Sequence, residues 1–124
     1  RLLVVNEVWF TSGWRVQRTT GDFAFKTHQA GAWTGPNSGV TFPAGVWQHF
    51  VISATFGQSC SLYNNGQLVT SGAITAPVLG NTNITVGMGG DNFAGNIALL
   101  SIYNRALNAS EIQRLYESTK WRFR

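Results

Sequence analysis

Short apolar runs, separated by glycine and asparagine, recur along most of the chain. In the run 47–56, Phe50 and Ile52 fall on one face of an extended chain. Ser53 and Thr55 fall on the other face, and this alternation is typical of a half-buried antiparallel strand. The same reasoning predicts strands near residues 2–10, 14–18, 22–28, 38–42, 47–56, 59–64, 67–72, 84–88 and 96–103.

The dipeptide Asn65-Gly66 lies between two of these predicted strands. Asn and Gly both tolerate the positive φ that a type I′ turn requires at its two central positions. The dipeptide is therefore the strongest hairpin signal in the chain.

The predicted strand 96–103 is apolar on both faces, with Ile97 and Leu99 on one and Leu100 and Ile102 on the other. Each face of such a strand needs a covering layer. We therefore expect this strand to be central in a sheet and to lie under the terminal segment.

One helix is predicted near the end of the chain. Asn108 and Glu111 have the spacing of a capping box, in which each side chain accepts a hydrogen bond from the other residue's backbone N–H. Ile112, Leu115 and Tyr116 then recur at the spacing of one helical face, which would pack on a sheet. The chain is thus predicted to be all-β with one short C-terminal helix.

Composition narrows the classes of partner. The 124 residues suit one domain, and only 11% of them are charged. The net charge of +4 includes a short basic tail of Lys120, Arg122 and Arg124, but the body has no basic stripe to follow phosphates, which argues against nucleic acid. No apolar run reaches 18 residues, so membrane insertion is not expected. The single cysteine, Cys60, is expected to be a buried thiol, and Trp47 a core or barrel-end aromatic.

Four motifs resemble those of laminin-G-like, concanavalin A-like jelly-roll domains. Residues 47–50 resemble their Trp-x-His strand, and residues 62–66 resemble their Leu-Tyr-x-Asn-Gly hairpin. Residues 93–97 resemble their Phe-x-Gly-x-Ile strand entry, and residues 102–112 their closing Tyr-Asn-Arg-Ala-Leu-x-x-x-Glu-Ile. The resemblance covers about residues 14–116 and implies a two-sheet antiparallel jelly-roll sandwich.

The end of the chain resembles a narrower group. Residues 118–123 are similar to the Ala-Thr-Lys-Gly-Arg-Phe that closes such domains in virion proteins of tailed phages, with Trp121 in place of the glycine. The resemblance implies a jelly-roll domain over residues 1–118 and a basic aromatic tail over 119–124. Such domains begin with further strands, which here are either missing or partly supplied by residues 1–10, and a neighbouring chain is one way to fill the gap.

The resemblance also invites a test for catalysis. Glucanases on this fold carry carboxylates on one strand at i, i+2 spacing, so that a nucleophile and an acid lie about 5 Å apart. No two acids of this chain have that spacing; they are Glu7, Asp22, Asp91, Glu111 and Glu117. His28 and His49, with one cysteine, form no triad and no zinc set. No enzyme activity is therefore expected.

Trp33 and Asn37 are the candidate sugar-binding residues. Glycan recognition needs an aromatic platform beside amide groups, and these two lie in a loop-like run. Asp91 and Asn92, in a glycine-rich turn, complete the candidate site, and as in related domains they are also candidate calcium ligands. A single carboxylate supplies little negative charge for binding calcium, so a turn-forming role for Asp91 stays open. For Trp33, the alternative that it seals the sandwich edge also stays open.

Two functions fit these features. The first is a non-catalytic module that binds cell-surface glycans, in many copies because single lectin sites are weak and multivalency raises avidity. The second is a structural or decoration domain that makes virion assembly contacts without binding sugar. The tail favours the second function, because aromatic and arginine side chains are preferred interface anchors; its residues are Lys120, Trp121, Arg122 and Phe123. Both imply a multicopy or homo-oligomeric protein at a virion surface or outside the cell.

Overall fold

The computed structural model describes residues 2–8, 12–19, 21–78, 83–87 and 93–123. Within these ranges the chain forms eight strands, one α-helix and a terminal 3₁₀ turn. They are β1 (Leu2–Val8), β2 (Ser12–Thr19), β3 (Asp22–Gln29), β4 (Ala32–Thr34), β5 (Phe50–Thr55), β6 (Ser59–Asn64), β7 (Gln67–Ala73), β8 (Thr85–Val86), α1 (Ala109–Thr119) and the 3₁₀ turn Lys120–Arg122.

The strands form two antiparallel sheets. The larger sheet has the order β4-β3-β2-β1-β8, and the smaller has the order β5-β6-β7. This architecture confirms the predicted all-β, two-sheet antiparallel sandwich with one short C-terminal helix. The strands predicted at 22–28, 59–64 and 67–72 nearly coincide with β3, β6 and β7.

The core lies between β3 of the larger sheet and β6 of the smaller. Phe23 and Phe25 of β3 are buried against Leu62 and Cys60 of β6. The ring of Phe50 in β5 lies 4.1 Å from the ring of Phe23, centroid to centroid, and so links the two sheets. Removal of this aromatic and aliphatic surface from water is the main stabilising contribution. Burial also raises the pKa of the Cys60 thiol to about 11, and the expected buried thiol is confirmed.

The helix begins as the sequence predicts. The side chain of Asn108 accepts a hydrogen bond of 2.9 Å from the N–H of Glu111, and the carboxylate of Glu111 accepts one of 2.9 Å from the N–H of Asn108. Ile112 is fully buried and packs with Tyr63 and Leu107. Because Tyr63 follows a core residue of β6 and points to the opposite face, α1 covers the outer side of the smaller sheet.

The turn between β6 and β7 is the predicted hairpin. Asn65 and Gly66 both have positive φ, 49° and 79°, as a type I′ turn requires. A Cβ on Gly66 would lie 3.0 Å from Cδ1 of Tyr116, so the helix packs directly on the turn. The turn and the last part of the helix therefore meet at one end of the sandwich.

Two predicted strands are wrong. Residues 38–42 form no strand, although the N–H of Ser38 donates to the carbonyl of Phe23 at 2.7 Å and that of Phe42 to the carbonyl of Gly21 at 3.0 Å. Residues 96–103 also form no strand, and their large apolar side chains are 42–58% exposed. An apolar pattern indicates that the side chains favour burial, but a strand also needs a neighbouring strand with which to form hydrogen bonds. No described strand pairs with 96–103.

Candidate ligand-binding surfaces

Trp33 and Asn37 lie along the side of β3 that faces away from β2, at the edge of the larger sheet. Trp33 belongs to β4 and pairs with His28, whereas Asn37 bridges to Ala24. Directly opposed residues of an antiparallel pair share a face of the sheet. Because the core residue Phe25 points to the other face, Trp33 and Asn37 both lie on the outer face of the larger sheet.

The Trp33 ring is covered rather than open. The guanidinium carbon of Arg15 lies 3.9 Å from the ring centroid, and the His28 ring meets it edge-on at 4.8 Å. Trp33 is thus a half-buried strand residue, not a loop residue as the sequence suggested. A sugar ring would have to displace Arg15 from the indole face that it occupies. This arrangement favours the alternative in which Trp33 seals the sandwich edge.

Asp91 and Asn92 lie outside the described residues, so their roles in sugar or calcium binding stay predictions. Among the side chains that the structure does describe, no three from His, Cys, Asp and Glu are grouped so that they could hold a metal ion. No helix in the described ranges combines the length and the apolar character needed to cross a membrane.

The tail packs back onto its own domain through Phe123, and Tyr116 of α1 lies beside the segment that precedes β5. The ring of Phe123 lies 5.4 Å from that of Trp47, and the ring of Tyr116 lies 5.8 Å from that of His49. The Lys120 ammonium lies 5.6 Å from the Tyr116 ring and 4.9 Å from the Trp121 ring. We call this surface the aromatic end; it comprises Trp47, Gln48, His49, Asn64, Asn65, Tyr116, Lys120, Trp121, Arg122 and Phe123.

An amide network underlies the aromatic end. The Oδ1 atom of Asn65 accepts a hydrogen bond of 3.0 Å from the N–H of His49, and its Nδ2 donates one of 3.1 Å to Oε1 of Gln48. The N–H of Asn65 donates to the His49 carbonyl at 2.8 Å. The turn therefore fixes the segment that carries Trp47, because Asn65 forms hydrogen bonds with Gln48 and His49, the two residues that follow Trp47.

The charged side chains that belong to the aromatic end are basic. Lys120 forms an ion pair with Glu117, which is one helical turn away. Burial lowers the pKa of His49, so its imidazole is neutral at neutral pH. Arg122 is exposed and, within the described part of the chain, its side chain makes no ion pair or hydrogen bond.

The described carboxylates have structural partners. Arg105 donates hydrogen bonds of 2.8 and 2.9 Å to the two oxygens of Glu111. These bonds, together with the one from the N–H of Asn108, lower the pKa of Glu111 to about 2. Asp22 accepts a hydrogen bond from a loop N–H, and Glu117 pairs with a lysine beyond the end of its helix. Glu111 is thus ionised at neutral pH and acts as the helix cap that the sequence predicted.

Trp47 and Arg15 are among the residues of these surfaces that were not predicted as ligand contacts. Trp47 was assigned to the core or barrel end, and it does lie at the end of the sandwich, but 42% of it is exposed. Arg15 carried no sequence signal, because its contact with Trp33 depends on the pairing of three strands. Trp47 stands at the first position of a predicted strand and follows a glycine-containing turn, which was the one local sign that it could face solvent.

Two solved structures share this fold. The binding domain of Paraclostridial Mosquitocidal Protein 1 matches with a TM-score of 0.71 and 24% identity, over 94% of this chain and 31% of that one. An S-layer domain-containing protein from Clostridium thermocellum ATCC 27405 matches with a TM-score of 0.55 and 22% identity, over 86% of this chain and 57% of that one. This chain therefore spans less than two thirds of either protein, and identities this low support a shared fold alone. A comparison with curated proteins gave no match.

The family comparison agrees with the topology. A laminin-G family model, described as the concanavalin A-like lectin/glucanases superfamily, matches residues 3–113. The match includes strands of both sheets and the capped start of the helix. This chain belongs to the concanavalin A-like lectin/glucanases superfamily.

Proposed function

We propose that this chain is a non-catalytic recognition module that binds glycans at the aromatic end. The observation that carries the proposal is the exposure of two tryptophans there, 42% for Trp47 and 60% for Trp121. Tryptophan is highly buried on average, and an exposed indole offers a flat apolar face on which a sugar ring can stack. Membership of a superfamily that includes lectins supports the same role.

The polar groups of the aromatic end suit sugar hydroxyls. Gln48 accepts through Oε1 from Asn65, which leaves the Nε2 donors of Gln48 without a partner in the described part of the chain. A few placed polar groups beside an apolar platform are what fixes the orientation of a small ligand. The proposed sugar site is therefore at the aromatic end rather than at Trp33, whose ring already contacts Arg15.

A single shallow site of this kind binds weakly. We propose that the domain acts in many copies outside the cell, on a particle or cell surface such as a virion or fibre, where linked sites raise avidity. The description of one structural neighbour as a binding domain supports a recognition role, and the S-layer description of the other is compatible with a surface location.

A glycan array probed with a multivalent display of the domain tests the proposal. We expect Trp121→Ala to weaken binding of any captured glycan by about tenfold or more, the scale of losing one buried apolar contact. Trp47→Ala should also weaken it, because Trp47 is the second exposed indole. Phe56→Ala is the matched control, since Phe56 is also 42% exposed but does not belong to the aromatic end.

Two results would contradict this function. One is the absence of binding to any glycan at high valency by the folded domain. The other is glycan binding that Trp121→Ala and Phe56→Ala leave equally unchanged, because the aromatic end would then not be the contact surface.

An assembly role is the second candidate, and one observation favours it. Five large apolar side chains between residues 97 and 103 are 42–58% exposed: Ile97, Leu99, Leu100, Ile102 and Tyr103. Large exposed apolar patches mark protein interaction sites in other proteins. Sedimentation equilibrium of the domain distinguishes the two candidates, because an assembly module would self-associate without any sugar.

A further inference from the structure

The charges of the aromatic end indicate which class of glycan it would bind. The residues of the aromatic end come from the segments 47–49, 64–65 and 116–123, which contain one acidic residue, Glu117, and two basic residues, Lys120 and Arg122, besides His49. Glu117 pairs with Lys120 and so offsets its charge. Among the described residues of this surface, Arg122 is then the remaining charge, because His49 is neutral at neutral pH.

Arg122 stands next to the most exposed large apolar side chain in the described ranges. Trp121 is 60% exposed and immediately precedes it in the 3₁₀ turn. Arg122 is itself exposed, and its side chain has neither an ion-pair nor a hydrogen-bond partner in the described part of the chain. An arginine presents a planar set of N–H donors that matches a carboxylate or sulfate in two parallel hydrogen bonds.

We propose that the aromatic end selects acidic glycans, in which a sugar ring stacks on Trp121 while its carboxylate or sulfate binds Arg122. This inference rests on the glycan-binding function proposed above and specifies its ligand. Lys120 adds to the attraction only weakly, because Glu117 already pairs with it. The overall charge of +4 favours the approach of an acidic ligand in the same sense.

The size of the preference follows from the exposure of Arg122. An exposed ion pair contributes little, and its typical range corresponds to a preference of about 1.4- to 5-fold for one site. Multivalent display multiplies this factor, so acidic and neutral sugars should separate clearly on beads that carry many copies of the domain. Added salt should reduce the preference, because charges at a surface are screened.

The test compares glucuronic acid and glucose 6-sulfate with glucose, each coupled to the same polymer, for binding to domain-coated beads. We expect both acidic sugars to bind more tightly than glucose at low salt. Arg122→Gln should bring the three affinities to within about twofold of one another. Arg114→Gln is the matched control, because it removes the same charge from an exposed position on α1 and should preserve the preference.

The outcomes separate this inference from the function on which it rests. Equal binding of glucose and both acidic sugars, abolished by Trp121→Ala, overturns the acidic preference and leaves glycan binding intact. Binding of none of the three at high valency, with no other glycan captured on the array, overturns both. If sodium sulfate competes as well as glucose 6-sulfate at equal concentration and ionic strength, the surface binds a free anion, and the proposed acidic sugar is wrong.

Discussion

Replacement of Gly66 by alanine tests whether the hairpin turn and the helix form one packed unit at the aromatic end. Two penalties act at this position. The first is the φ of +79°, a region that side chains with a Cβ rarely adopt. The second is contact, because the new Cβ would lie 3.0 Å from Cδ1 and 3.3 Å from Cβ of Tyr116. The Cβ of Tyr116 is fixed to the helix backbone, so the helix or the turn has to move.

The two penalties can be separated with Gly45. Its φ is +78° and nothing lies within 4 Å of the Cβ that alanine would add, so Gly45→Ala carries the backbone penalty alone. That penalty is about 1–2 kcal/mol, and alanine offsets about 0.4–1 kcal/mol of it by restricting the unfolded chain. We therefore expect Gly45→Ala to lower the free energy of unfolding by about 1 kcal/mol. Overpacking against Tyr116 adds about 1–3 kcal/mol, so Gly66→Ala should lower it by about 2–4 kcal/mol.

Urea unfolding followed by far-UV circular dichroism measures both values, provided that the dependence on urea concentration stays the same. The double mutant Gly66→Ala with Tyr116→Ala completes a cycle, in which the loss due to Gly66→Ala should fall but stay above that of Gly45→Ala, because the ring contact at 3.0 Å is removed and the contact with the Cβ at 3.3 Å remains. Equal losses for Gly66→Ala and Gly45→Ala would refute the reasoning, because the contact with Tyr116 would then not constrain the turn.

Three further predictions follow from the helix and the exposed segment. Asn108→Ala should lower the free energy of unfolding by about 1 kcal/mol through loss of the N-cap, whereas the exposed Ser110→Ala in the same turn should change it little, as urea unfolding would measure. The pKa of Glu111, about 2 against an ordinary 4.5, means that its stabilising effect is present above pH 4.5 and is lost as the pH falls towards 2. Glu111→Gln should therefore flatten the acid limb of a plot of stability against pH, and an unchanged acid limb would contradict this. Leu99→Gln should reduce any self-association seen by sedimentation, whereas Leu68→Gln, at an equally exposed apolar position elsewhere, should not.

The elements that could be predicted are those whose signals are local. The Asn65-Gly66 turn and the Asn108–Glu111 capping box are each decided by residues at most three positions apart, and both form as predicted. β4 was missed because its three residues are too few to show a pattern. It is held instead by distant contacts, since the hydroxyl of Thr34 lies 3.2 Å from that of Thr27 and 3.0 Å from that of Thr75.

The candidate site was predicted only in part. The tail was predicted to be a partner interface from its aromatic and basic residues, and that role stays a prediction. Its packing against Trp47 joins segments far apart in the chain, which no local pattern encodes. Trp33 was selected because a large aromatic in a loop-like run is hard to explain as core. The structure accounts for it by the Arg15 side chain above the ring, a contact that depends on strand register.

The buried Cys60 gives the protein an intrinsic reporter of how often its core opens to solvent. It is the single thiol of the chain, it is 1% exposed, and its pKa of about 11 keeps it protonated at neutral pH. A thiol reagent can therefore reach a reactive thiolate only when the two sheets separate. The rate at which the native protein takes up one equivalent of a maleimide then measures how often the core opens, with no engineered label and under conditions in which the protein is otherwise folded.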